Sequence, residues 1–130
     1  MNLPVPPALI GQFDTIYDGG TLEHVFNVSQ AFENCTKLVR VGGQILHVSP
    51  ASNFCGHGFW QFSPELFFSL YSERNGFGQT SVFLARMRDH KKWYRVTKPQ
   101  AGWRLPARLT ATTSGARVRI IVDDWILPAP

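Results

Sequence analysis

The sequence predicts an α/β domain, and three observations carry that prediction. Short apolar runs alternate with stretches of helical periodicity along most of the chain. The first two apolar runs are separated by one helical stretch, which is the connection that parallel strands require. The chain has 130 residues, 44% hydrophobic and 17% charged, enough for one domain with a buried core and too apolar for disorder.

The elements follow in order. Residues 1–12 are proline-rich and apolar, and read as an extended lead-in. Residues 13–17 form a short apolar run that ends in Asp18-Gly19-Gly20, as a buried strand ends. Asn27 or Ser29 caps a helix running to about Val39, with Val28, Ala31, Phe32, Cys35 and Leu38 on one face, and Gly42-Gly43 stops it. Residues 44–49 are a second strand, closed by Pro50. A loop rich in Asn, Gly, His and aromatics fills 51–62. Ser63-Pro64-Glu65 opens a second helix, with Leu66, Phe67, Leu70 and Tyr71 inward, ending near Asn75-Gly76. Residues 79–87 and 118–125 are the third and fourth strands. Between them, 88–108 is a basic excursion, read as irregular with a short turn of helix.

Bulk properties narrow the function classes. Residues 1–85 carry three Lys/Arg against six Asp/Glu, a net −3; residues 86–130 carry ten against three, a net +7. Attraction for anions therefore belongs to the last third. There, Arg86 to Arg108 interleaves cations with Trp93, Tyr94 and Trp103, the ingredients of nucleic-acid binding. A solvated excursion anchored by its tryptophans is the reading preferred over that one. Apolar runs fall short of the roughly 18 residues of a membrane span, and the start lacks the basic region of a secretion signal. The expected location is cytoplasmic. In that reducing setting Cys35 and Cys55 are expected to be free thiols.

Three ordered stretches carry a resemblance. Asp-Gly-Gly-Thr-Leu-Glu-His follows the first strand, Val41-Gly42-Gly43 leads into the second, and HGFWQFSPELF follows that. In this order and spacing they resemble the second half of class I S-adenosylmethionine-dependent methyltransferases. The resemblance implies part of a seven-stranded sheet ordered three, two, one, four, five, seven, six, with the last strand antiparallel. This chain would supply strands four to seven, half of a three-layer Rossmann-like sheet. The first strand, its glycine-rich loop and the acidic residue after the second strand have no counterpart here, since no G-x-G-x-x-G follows a strand. S-adenosylmethionine is then a cofactor only if a partner chain carries that half, and the chain alone reads as an oligomeric binding or structural module.

The resemblance also implies the site. The cofactor-facing positions are Asp18, Gly19, Gly20, Thr21 and Leu22, and Glu23 and His24 are placed for acid–base work on an acceptor. Ser49, Asn53, Trp60 and Gln61 follow the second strand and are read as substrate-binding, with His57 a further base. Plainer readings stand beside these: Glu23 as a cap or ion pair, His24 packed at the helix start, and Cys55-Gly56-His57-Gly58 as a mere turn. A metal is not expected. His24, His47, Cys55 and His57 have none of the usual ligand spacings, and a Cys55–His57 nucleophile pair lacks anything to orient the imidazole. Losing the neighbour of the fourth strand would leave 13–17 as an apolar edge. Pairing in a homodimer or higher oligomer, through that edge and the lead-in from Leu3 to Ile10, is the expected repair. The lead-in folding back over the edge is the alternative.

Overall fold

A computed structural model describes residues 1–51, 55–86, 89–97 and 116–123. Among these residues five strands make one sheet: β1 (Phe13–Gly19), β2 (Val39–Pro50), β3 (Phe77–Arg86), β4 (Asp89–Val96) and β5 (Ala116–Asp123). Two helices accompany them, α1 (Val28–Leu38) and α2 (Pro64–Leu70). The strand order is β1-β2-β5-β3-β4. β1 pairs with β2, β2 with β5, and β5 with β3, all parallel; β4 is antiparallel to β3.

Two expectations are corrected here. The basic excursion is not irregular where it is described: Asp89–Val96 is a strand hydrogen-bonded along β3. The last strand is not antiparallel: Ala116 lies opposite Phe77, so β5 runs the same way as β3. One fact explains both. The β3–β4 hairpin returns the chain to the end of the sheet where β3 began, and β5 starts from that end. Trp103 and the rest of 98–115 lie outside the described residues.

Local chemistry sets the helix ends. The Asn27 side chain accepts from Gln30 N at 3.3 Å, so Asn27 is the cap of α1. α1 ends at Leu38, before the glycine pair expected to stop it. Gly42 and Gly43 instead serve β2. Between Phe13↔Val39 and Thr15↔Gln44, β2 carries three more residues than β1, and the kink needs Gly42 at φ +75°. A Cβ on Gly43 would stand 2.8 Å from Asp14 O. The Ser63 side chain accepts from Leu66 N, and Pro64 begins α2. α2 ends at Leu70, and a 3-10 turn, Glu73–Asn75, completes the connection to Gly76 at φ +86°.

Both helices lie on one face of the sheet. Phe32 of α1 packs edge-on against His47 of β2, and Phe67 of α2 packs against the same ring at a tilt. With Ile45, Phe62, Leu70, Tyr71, Phe77 and Val82 they make a single core. Each such side chain contributes about 1.5–3 kcal/mol when fully buried. The expected three layers are therefore two among the described residues. On the opposite face a groove of about 560 Å³ is lined by Thr15, Gln44, Ser81, Phe83, Trp93 and Arg95, among others. No described helix is long and apolar enough to cross a membrane.

The lead-in runs along α1. Asn34 Nδ2 donates to Met1 O and Leu3 O, and its Oδ1 accepts from Val5 N. Asn2 pairs twice with Asn27. The lead-in includes a 3-10 turn, Pro7–Leu9, so it is not extended throughout. β1 is at the end of the strand order, with Phe13 41% and Tyr17 65% exposed.

Candidate functional site

Two carboxylate–imidazole sets lie near the carboxyl end of β1, one inside the core and one at its surface. The inner set follows from strand alternation. Ile16 and Asp18 share a face of β1; Ile45, His47 and Ser49 share a face of β2; Asp18 sits opposite His47 in the register. His47 Nδ1 lies 2.9 Å from Asp18 Oδ2, and His47 Nε2 lies 2.7 Å from the Tyr71 hydroxyl. In the arrangement that satisfies every atom, Tyr71 donates to Nε2 and Nδ1 donates to the carboxylate. Asp18 Oδ1 accepts from Thr21 N at 2.9 Å and Leu22 N at 3.3 Å, which shapes the turn after β1. Burial holds the Tyr71 hydroxyl well above its ordinary range, with Cys35 and Asp18 adding to the effect. Burial likewise pushes the Cys35 thiol up to about 12, with Asp18 again contributing.

The outer set is built by two loops. Leu22–His24 is a 3-10 turn that buries Leu22 and Glu23 and leaves His24 outside. The 55–60 loop, after β2, lies down on that turn. Phe59 N and Trp60 N both donate to Glu23 O, at 2.6 and 3.2 Å, and Trp60 Nε1 donates to Val25 O. Gly58, at φ +73°, permits the approach: a Cβ there would stand 2.8 Å from Glu23 O. Glu23 Oε1 then lies 3.5 Å from His57 Nε2 and 3.9 Å from His24 Nε2. The two imidazoles meet edge to face with centroids 4.9 Å apart. Both are about half exposed, whereas the Glu23 side chain is 2% exposed. Glu23 Oε2 is buried with no hydrogen-bond partner among the described residues. The exposed rings of Phe26 and Phe59 pack edge to face beside this loop.

Of the residues read as catalytic, Glu23, His24 and His57 come together. The cofactor-facing assignments are divided. Asp18 and Leu22 face the core, and both Asp18 oxygens are already engaged. Gly19 and Thr21 are exposed, and Gly20 turns the chain at φ +89°. Ser49 is buried, its hydroxyl also without a described partner. Trp60 is partly exposed, its indole N–H already used; Gln61 is exposed; Asn53 lies outside the described residues. His47 is separated from His24 and His57 by its place in the core. The Asp18–His47–Tyr71 chain was not anticipated, though alternation along ILHVS carries a signal for it. The chain matches no family model, no curated protein and no solved structure.

Proposed function

We propose that this chain is a methyltransferase-like half-domain that binds at the carboxyl end of its sheet and does not catalyse alone. The observation that carries the reading is the convergence of Glu23, His24 and His57 from the loops after two adjacent parallel strands. Ligands of open α/β sheets bind at such a place. The strand order supports it too: β1-β2-β5-β3 corresponds to four, five, seven, six in the resembled fold, although β5 runs the other way. Against independent catalysis stands the lack of a G-x-G-x-x-G turn after any described strand. Asp18, read from the resemblance as facing the donor, has its carboxylate committed to His47 and the turn.

The exposed edge of β1 is the docking place in this reading. In the resembled fold the first strand pairs there. A second copy of this chain, or a partner supplying the donor-binding half, would pair with the same N–H and C=O groups. The lead-in leaves that role open because its polar contacts are made to α1.

Calorimetric titration with S-adenosylmethionine and S-adenosylhomocysteine, with the mass in solution recorded, tests the proposal. The expected result is an oligomer that gives no heat at about 1 mM. Saturable one-site binding at about 1–100 µM, roughly −8 to −5.5 kcal/mol, would instead mean that assembly rebuilds the donor site. The chain would then be read as an enzyme seeking its acceptor.

A further inference from the structure

We propose that Glu23, His24 and His57 bind one first-row divalent metal ion of the zinc class. The inference stands on these three side chains and does not depend on the methyltransferase reading.

The starting point is the carboxylate. Glu23 is buried, yet Oε2 has no hydrogen-bond partner among the described residues. Oε1 lies 3.5 and 3.9 Å from the two imidazole nitrogens, which is long for hydrogen bonds. A buried carboxylate in this condition needs a compensating cation or proton. The three potential ligand atoms all lie within 4.8 Å of one another. Ligand bonds of about 2.0–2.1 Å around a tetrahedral ion put ligand atoms roughly 3.3 Å apart. The imidazoles must therefore close in by about an ångström or less at most pairs. They are the half-exposed members, so side-chain rotation suffices while the buried carboxylate stays in place.

The support of the cluster points the same way. His57 is not delivered by a free loop: the backbone on its C-terminal side is bonded twice to Glu23 O, and Gly58 exists where any side chain would strike Glu23. Gly20 has its missing Cβ 3.2 Å from Oε1. The set of two imidazoles and one carboxylate selects the metal class. Imidazole suits zinc, copper, iron and nickel, whereas magnesium and calcium take oxygen shells. Three protein ligands leave a coordination position towards solvent, the open type of site that holds a water or a substrate oxygen.

The test uses the full chain, stripped of metal by a chelator and kept in a non-thiol reductant. It is titrated with Zn²⁺ by calorimetry and with Co²⁺ by visible absorption. One equivalent should bind, the Co²⁺ bands should be those of a four- or five-coordinate ion, and Mg²⁺ should not compete. His24→Asn and His57→Asn, both at half-exposed positions and checked for folding by circular dichroism, should each weaken binding at least about tenfold. Cys55→Ser should leave it unchanged. The proposal is overturned by an absence of saturable Zn²⁺ and Co²⁺ binding up to about 1 mM, by binding that survives both histidine changes, or by binding that Cys55→Ser abolishes.

Discussion

Asp18 with His47 and Glu23 with His57 pair the same chemical groups, five to ten residues apart in sequence, to opposite ends. In the inner pair every polar atom has a partner: both carboxylate oxygens, both ring nitrogens and the Tyr71 hydroxyl. In the outer pair one carboxylate oxygen has none among the described residues, and the imidazoles face solvent. A fully satisfied buried network stiffens a core and leaves no capacity for a ligand. A buried carboxylate oxygen that accepts from none of the described donors has capacity left over. Satisfaction of lone pairs, more than residue type, separates the two sets.

The contrast breaks most severely at Asp18. Asp18→Ala removes the acceptor of His47 Nδ1 and of two turn N–H groups at once. Three donors are left without their acceptor, at about 1–3 kcal/mol each, so the cost is about 3 kcal/mol or more. Urea unfolding should show at least that loss, and a loss under about 1 kcal/mol would mean that the inner network is incidental. Tyr71→Phe is milder. It keeps the ring against His47 and Phe77 and deletes only the hydroxyl, which leaves Nε2 unpaired. The expected cost is about 1–3 kcal/mol.

Alkali attacks the inner region without a mutation. Cys35 ordinarily ionises near 9, and in the fold it is pushed up to about 12. Its folded value is raised, so its contribution is fully present below pH 9 and is lost as pH rises towards 12. Between those limits the unfolded chain releases a proton that the folded chain retains, a loss approaching 1.4 kcal/mol per pH unit. Tyr71, also raised, steepens the slope once pH passes the ordinary tyrosine value of about 10. Denaturant midpoints measured from pH 8 to 11 should fall throughout the upper half of that range. A midpoint flat to pH 11 would mean that Cys35 is not as sequestered as its burial indicates.

Much of this was legible in the sequence, and the omissions have physical causes. Both helices, β1, β2, β3 and β5 follow from apolar periodicity, and Ser63-Pro64 marks the start of α2. β4 was missed because DHKKWYRV is charged at half its positions, which suits an edge strand and resembles a loop. The antiparallel direction expected of β5 came from the resemblance, and the β3–β4 hairpin is what makes it parallel instead. At the site, the residue types were visible and their depth was not. Glu23, His24 and His57 were singled out for standing after parallel strands. That Glu23 is buried depends on the 55–60 loop folding onto it, a long-range contact that no local pattern encodes. Ligand spacing could not reveal the cluster, since its members come from two loops 33 residues apart, as Glu23 and His24 against His57 show. Asp18 was the reverse case: the alternation that turns Ile16 inward turns Asp18 inward too.

The smallest expected effect is the sharpest test of the contrast. Glu23→Gln keeps the size of the side chain within the cradle formed by Gly20 and Gly58 and removes only the charge. At Asp18, losing the carboxylate strands three donors. At Glu23, the change strands none of the described donors on Oε2, because that oxygen accepts from none of them. Burying an amide in place of an under-compensated carboxylate should be neutral or slightly favourable, within about 1 kcal/mol. Thermal unfolding in the presence of a chelator, which keeps metal binding out of the comparison, reads the difference directly. An unchanged or slightly raised Tm marks Glu23 as a residue held for a ligand at some expense to the fold. A fall equivalent to 3 kcal/mol would place Glu23 with Asp18 among the structural carboxylates, and the two sets would then differ in exposure alone.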